Sequence, residues 1–310
     1  MNIIQDPDEW TNRPSRVCLA IGFFDGVHLG HQQVIRQALD DAGQGESEAV
    51  AVTFDPHPAT VIAPERAPAL VYSLERKLAT LAGLGVRHTL LLHFDETLCR
   101  QSGEAFVRGL QSHWEGIDSI CVGNQFRFGH RREGNVALLR RMGEDIGFAV
   151  HGLAAVALDG EPVSSTRIRA SIRQGDFGKA GQMLGRPYRL VGRVVEGDRL
   201  GRQLGFPTAN LDVTGLVLPP AGVYAVHLVW KGREHRGVLN IGVRPTLQSA
   251  TPAVRVEAHL LDFDGDLYGE LLEVGFIRHI RDERAFPTLD ALKEQIRNDI
   301  GFARESFPGP

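Results

Sequence analysis

The chain of 310 residues is 43% hydrophobic and 23% charged, with a formal net charge of −4, the make-up of an ordinary globular protein long enough for two cores. Acids and bases are mixed along it, which excludes a broad nucleic-acid footprint, and no apolar run approaches the roughly 18 residues of a membrane span. The first residues carry Asp6, Asp8 and Glu9 in place of a basic-then-apolar leader, and Cys18, Cys99 and Cys121 stand outside any Cys-x-x-Cys pair, so free thiols in a reducing cytoplasm are expected.

In chain order, an apolar run predicts a strand over 17–24 and helical spacing predicts a helix over 32–41. Between them runs Gly22-Phe23-Phe24-Asp25-Gly26-Val27-His28-Leu29-Gly30-His31. A glycine-rich strand-to-helix turn brings backbone N–H groups and a helix N-terminus to bear on phosphate. His28 and His31 can donate to a polyphosphate and stabilise charge as phosphorus is attacked. Two plainer readings are a His-x-x-His metal pair, for which no further ligand of familiar spacing is present, and partly buried helix-start histidines.

Strands over 49–54, 89–94, 119–122 and 148–155 then alternate with helices over 74–84, 103–114 and 136–146. This alternation predicts a Rossmann-like α/β domain with a parallel sheet, whose ligand sits at the carboxyl ends of the strands. The loops Thr53-Phe54-Asp55-Pro56-His57-Pro58 and Gly123-Asn124-Gln125-Phe126-Arg127-Phe128-Gly129 are candidate walls there, against a plain reading as turns with core aromatics. Ser164-Ser165-Thr166-Arg167-Ile168-Arg169 sets hydroxyls and arginines at a helix start. That is a cradle for the outer phosphates of a triphosphate, or else simple N-capping by Ser165 or Thr166.

After Gly185-Arg186-Pro187 the pattern changes, which places the division between domains of residues 1–185 and 186–310. Short period-2 runs over 188–196, 222–231, 238–241, 254–262 and 271–276 predict a small antiparallel barrel or sandwich. Helical spacing returns over 288–302, with Leu289, Leu292, Ile296 and Ile300 on one stripe. Gly197, Gly201 and Gly205 precede Phe206-Pro207-Thr208-Ala209-Asn210, and no Walker A pattern occurs. If ATP binds in this half, this loop is its cradle and Thr208 a Mg²⁺ ligand; a hairpin is the plainer reading. Alternation puts Arg255, Glu257 and His259 on one strand face, either as a solvated face or with Glu257 placed to take a proton from a substrate hydroxyl. Asp262, Asp264, Asp266 and Glu273 imitate an EF-hand loop, but Leu267 replaces its glycine and the flanks read as strands, so a hairpin turn is expected.

Taken together, and in this order, the segments resemble the bifunctional bacterial riboflavin kinase/FAD synthetase (FMN adenylyltransferase) family over about residues 17–302. The matching pieces are Gly22 to His31, Ser164 to Arg169, Gly205 to Asn210, Asn240-Ile241-Gly242 with Pro245-Thr246, and Val256-Glu257 through Leu267-Tyr268-Gly269. The resemblance implies an adenylyltransferase domain followed by a six-stranded kinase barrel. ATP is the co-substrate, Mg²⁺ the cofactor, and FMN and FAD the products. It implies that His28 and His31 contact the ATP phosphates in a site that includes Gly22, Phe23, Asp25, Gly30, Asn124, Gln125, Ser165, Thr166 and Arg169. In the kinase, Gly197, Gly201 and Gly205 would line the ATP site, Thr208 and Asn210 would hold Mg²⁺ and phosphates, and Glu257 would deprotonate riboflavin. His57 and Asn240 would contact flavin. Phe23 stands where members often have Asn, and Gln125 where Asp or Asn precedes Phe-x-Phe-Gly, with Asn124 beside it as a substitute. The expected partners are small molecules, without nucleic acid or membrane; oligomeric state is left open. The rivals are another His-x-Gly-His nucleotidylyltransferase or a class I aminoacyl-tRNA synthetase fragment, the latter lacking Lys-Met-Ser-Lys-Ser here, and a flavin-binding sensor without turnover.

Overall fold

The computed structural model describes residues 1–11, 13–197, 200–244 and 253–307. The chain forms two compact units, residues 1–168 with 183–185, and residues 169–182 with those from 186 onward.

The first unit is built on strands β1 (Asn2–Ile4), β2 (Arg16–Ile21), β3 (Glu48–Asp55), β4 (His88–His93), β5 (Gly116–Gly123) and β6 (Ala149–Leu153), ordered β1-β4-β3-β2-β5-β6. Every pairing in this sheet is parallel. The helices are α1 (Leu29–Gly43), α2 (Pro58–Ile62), α3 (Leu74–Gly83), α4 (Glu96–Arg100), α5 (Gly103–Gln111), α6 (Val136–Ile146), α7 (Ser165–Arg173) and α8 (Phe177–Leu184); α7 passes into the second unit after residue 168 and α8 belongs to it up to residue 182. A short hairpin, β7 (Ala157–Leu158) with β8 (Glu161–Pro162), precedes α7.

Strand β2 reads Arg-Val-Cys-Leu-Ala-Ile and is buried over its last five residues because both sheet faces are covered. Its odd positions, Val17, Leu19 and Ile21, join Phe106, Leu110, Leu139 and Met142 in one core. Cys18 and Ala20 join Val34, Ile35 and Ala38 of α1 and Leu78 and Leu81 of α3 in the other. The chain winds from β2 through β3 to β4, then crosses to β5 on the other side of β2. The switch point therefore lies at the carboxyl ends of β2 and β5, where open α/β sheets bind ligands.

The second unit is a closed antiparallel barrel of β9 (Arg189–Val195), β10 (Ala209–Asp212), β11 (Gly222–Trp230), β12 (Arg233–Arg244), β13 (Ala253–Leu260) and β14 (Leu271–Arg281), in the order β10-β13-β12-β11-β14-β9, with a short α9 (Leu200–Leu204) between β9 and β10. The β9–β10 pairing closes it, so no strand edge is left open. Helix α10 (Leu289–Glu305) is capped by Thr288, whose hydroxyl accepts from the Ala291 N–H at 3.2 Å. It is tied to β14 by a forked ion pair, Arg281 Nε to Asp299 Oδ1 at 3.0 Å and Arg281 Nη2 to Asp299 Oδ2 at 2.8 Å. Asp299 is 3% exposed. Asp299→Ala strands the guanidinium without its partner and is expected to destabilise this unit by about 3 kcal/mol, read as a lower urea midpoint.

Several boundaries differ from those the sequence predicts. The first strand stops at Ile21 and not at residue 24, because Phe24 turns to φ 58°. Helix α1 starts three residues early because His28 caps it. Leu289 is 59% exposed and leaves the apolar stripe to Leu292, Ile296 and Ile300. Strands β1 and β10 and the first half of β12 are additional. The acidic residues 262–266 form the turn between β13 and β14, with Asp262 paired to Arg304 at 2.7 Å and Asp266 accepting from the Tyr268 N–H at 3.0 Å.

Candidate active sites

The turn after β2 is compressed and fully anchored. Phe24 and Val27 both hold left-handed backbones, at φ 58° and 42°, a strain that persists only where surroundings fix it and that concentrates at functional sites. The fixing is visible. Asp25 is buried and accepts from the Val71 N–H at 2.9 Å and the Tyr72 N–H at 3.2 Å. Gln32 donates to the carbonyls of Val27 at 2.9 Å and Leu184 at 2.8 Å. Asp25 thus braces the loop through backbone amides, the position in which the structure places this predicted ATP-site residue.

His28 caps the fifteen-residue α1, its Nδ1 accepting from the His31 N–H at 3.3 Å. That bond leaves the ring proton on Nε2. The rings of His28 and His31 stack at 3.6 Å and 18°, with the edge of Phe24 against His31. Gly30 makes room for this, since a Cβ there would lie 3.2 Å from the His28 ring. Two imidazoles and a helix N-terminus are thereby gathered beside the switch point, with Gly22 and Phe23 at the strand end.

The second cluster joins the turn through Ser165, whose hydroxyl donates to the Asp25 carbonyl at 3.0 Å. Capping falls on Ser164, one residue before Ser165 and two before Thr166: Ser164 accepts from the Arg167 N–H at 3.3 Å, while Arg167 donates to the Glu161 and Pro162 carbonyls. Thr166 is exposed and Arg169 buried along α7. Asn124 and Gln125 are exposed just past β5, at the same sheet edge. His57 caps α2, its Nδ1 accepting from the Ala59 N–H at 2.9 Å, and its ring meets Phe23 edge-on at 4.2 Å. Both Phe23 and His57 line a cavity of about 600 Å³ walled by Phe54, Phe94, Phe106, Phe126 and Phe128, with Arg127, Arg131 and Arg132 also on its lining. A flat apolar group with an anionic tail fits this chemistry.

In the barrel, Glu257 of β13 stands opposite Asn210 of β10 on one side and Asn240 of β12 on the other. The three form a polar row on the wall of a cavity of about 440 Å³, which Thr208, Arg255, His259 and Glu283 also line and to which α10 contributes Leu292, Ile296 and Ile300. A second cavity of about 200 Å³ is lined by Arg202, Pro207, Thr208, Asp266, Leu267 and Tyr268. Thr208 belongs to both. His259 fixes the segment before it, its Nδ1 lying 2.8 Å from the Pro207 carbonyl.

The glycines divide their roles. A Cβ on Gly197 would overlap the Asn210 amide, and one on Gly201 would lie 2.9 Å from the Thr208 hydroxyl. A side chain at either glycine would therefore crowd Asn210 or Thr208. Gly205 has φ 89° and turns the chain out of α9, a bend that disfavours other residues. Pro245-Thr246 lies outside the described residues.

Sequence reasoning missed Lys77 on α3. It is 4% exposed and donates to the carbonyls of Phe54 at 3.0 Å and Phe23 at 3.4 Å. Burial pushes its ammonium pKa down to about 8, against the raising effect of Asp55 and Asp25. A lysine on an amphipathic helix ordinarily reads as solvated, and only the alignment of α3 across the ends of β2 and β3 reveals it. Arg281 and Glu283, on the lining of the cavity that Glu257 also walls, were missed as well.

Among the described residues, no helix is long and apolar enough to cross a membrane. Family models match in two pieces, FAD synthetase over residues 11–167 and riboflavin kinase over residues 184–307. A bifunctional riboflavin kinase/FMN adenylyltransferase of Pseudomonas fluorescens is 41% identical, with 93% of each chain covered. The Escherichia coli K12 protein of the same description is 36% identical over 99% of this chain and 98% of its own. A solved Streptococcus pneumoniae structure, described as a macrolide-efflux protein, superposes with a TM-score of 0.81 at 28% identity, covering 97% of this chain and 98% of that one. With both halves matched, the chain belongs to the bifunctional riboflavin kinase/FMN adenylyltransferase family.

Proposed function

We propose that this bifunctional enzyme divides its two reactions between the units, the barrel phosphorylating riboflavin to FMN and the sheet unit adenylylating FMN to FAD, with the functional division at about residues 185–186. One observation supports the assignment most: each unit pairs a reactive group with its own cavity, the stacked His28 and His31 following Phe23, which lines one, and Glu257 lining the other.

In the barrel, riboflavin occupies the cavity walled by Glu257 and ATP the one lined by Arg202 and Tyr268, and they meet at Thr208. Glu257 takes the proton of the ribityl 5′-hydroxyl as its oxygen attacks the γ-phosphorus, and ADP leaves. Asn210 and Asn240 flank the carboxylate and orient it and the ribityl chain. Thr208 and Asn210 would hold Mg²⁺, which when bound neutralises charge on the phosphates.

In the sheet unit, the apolar cavity beside Phe23 takes the flavin ring and the turn takes ATP. An FMN phosphate oxygen attacks the α-phosphorus and pyrophosphate leaves. His28, through Nε2–H, and His31 stabilise the charge that develops there, aided by the N-terminus of α1. Ser165, Thr166 and Arg169 hold the outer phosphates. Asn124 and Gln125 close the same sheet edge. A cytoplasmic setting belongs to the same reading, supported by ATP as co-substrate and by the free thiols of Cys18, Cys99 and Cys121.

Incubating the pure protein with riboflavin, ATP and Mg²⁺ and separating the flavins tests the whole reading. FMN followed by FAD is expected, and EDTA is expected to stop both. Unchanged riboflavin would leave a flavin sensor, and an end at FMN would remove the second activity.

A further inference from the structure

The parallel pairing of β2 with β3 ends at Ile21 and Val52. One step on, the Gly22 N–H reaches the Val52 carbonyl at 3.0 Å, and from there the chain turns away into the left-handed Phe24. Side chains bridge the opening. The buried Thr53 hydroxyl donates to the Phe23 carbonyl at 2.9 Å. Lys77 reaches in from α3 with three contacts for its three protons: Phe54 carbonyl at 3.0 Å, Thr53 Oγ1 at 3.3 Å and Phe23 carbonyl at 3.4 Å. Its Nζ also stands 4.4 Å from the centroid of the Phe23 ring. That ring is flanked in turn by His57 and lines the aromatic cavity.

A buried ammonium is costly to desolvate, and an apolar side chain would fill the space without that cost. What only a cation achieves here is to hold carbonyls from two strand ends and a π face at once. The Thr53 hydroxyl, one Lys77 hydrogen bond and the cation–π contact converge on Phe23, the residue whose backbone leads into the histidine turn and whose ring walls the cavity. The other two Lys77 bonds tie the lysine to the end of β3.

We propose that Lys77 is a positioning residue of the adenylyl-transfer site, locking Phe23 so that the acceptor cavity and the histidine turn keep a fixed mutual geometry. This rests on reading that cavity as the FMN site. Misplacing an acceptor by a fraction of an ångström slows in-line attack steeply. The charge is also within reach of titration: burial is the main cause lowering its pKa to about 8, opposed by Asp55 at the end of β3 and Asp25 in the turn after β2. The ammonium is therefore lost as pH rises through that value.

The test uses the full chain with Lys77→Met and Lys77→Arg, assayed from neutral into alkaline pH for FMN adenylylation and, in the same preparation, for riboflavin phosphorylation. Lys77→Met is expected to raise KM for FMN and lower kcat/KM for FMN on the order of 10- to 100-fold, with phosphorylation unchanged. Wild type is expected to lose adenylylation as pH passes about 8, and Lys77→Arg, which stays charged, to shift that loss upward. Wild-type FMN kinetics in Lys77→Met would overturn the proposal. So would an unshifted alkaline loss in Lys77→Arg, a comparison that stands even if the methionine variant fails to fold. A wild-type enzyme that makes no FAD from added FMN would instead remove the reading of the site itself.

Discussion

Alanine at both His28 and His31 is expected to cut FAD formation by about 10³-fold or more while FMN still accumulates from riboflavin and ATP. Removing one well-aimed donor to a developing oxyanion costs about 10²–10³ in rate. These two rings, stacked at 3.6 Å at the start of α1, would on the proposed reading act on one group, so their losses combine without being strictly additive. His28 also caps the helix, and losing a cap costs about 1 kcal/mol. His28→Asn separates the two effects, because asparagine caps as well but supplies no imidazole. It is expected to fold like wild type and to lose adenylylation. Chromatographic separation of riboflavin, FMN and FAD over time reads both activities from one sample. If a folded double variant lost phosphorylation too, or still made FAD at the wild-type rate, the histidines would not have this role.

Glu257→Gln is expected to lower FMN formation by about 10²–10⁴-fold, the range for loss of a general base, while supplied FMN is still converted to FAD. The substitution keeps the shape of the row in which Glu257 faces Asn210 and Asn240. Lost activity then reports on the carboxylate and not on barrel packing. Unimpaired phosphorylation would return Glu257 to the solvated-strand reading and leave the row a structural feature.

What the sequence made legible follows from the range of the forces involved. Helix α6 matches the predicted 136–146 because its N-cap Asn135 and the left-handed Gly147 after it are local signals. The first half of β12 is hidden because Arg233, Glu234, His235 and Arg236 carry no apolar alternation; its partner β11 imposes the strand. Strand β1 has three residues and exists only by pairing with β4. Strand β10 begins inside the Thr208–Asn210 motif, whose glycine surroundings read as loop. The site follows the same division. The histidines, Ser165 and Glu257 stand out by residue type and spacing only as candidates beside plainer readings, and their roles come from the family resemblance. Asp25 is read as a ligand residue, yet its carboxylate serves backbone amides 46 and 47 positions away. Lys77 is invisible because its acceptors come from two other strands, and no local pattern encodes a long-range clamp.

Thr208 lines both the cavity walled by Glu257 and the one lined by Arg202 and Tyr268. Any displacement of that residue when one compartment fills is therefore a change in the wall of the other. With flavin in one compartment and nucleotide in the other, as proposed, such a displacement links their occupancies, and linkage is reciprocal: whatever factor a nucleotide imposes on flavin affinity, the flavin must impose on nucleotide affinity. A single hydroxyl-bearing side chain is thus the point at which the two affinities of the kinase half become one thermodynamic quantity.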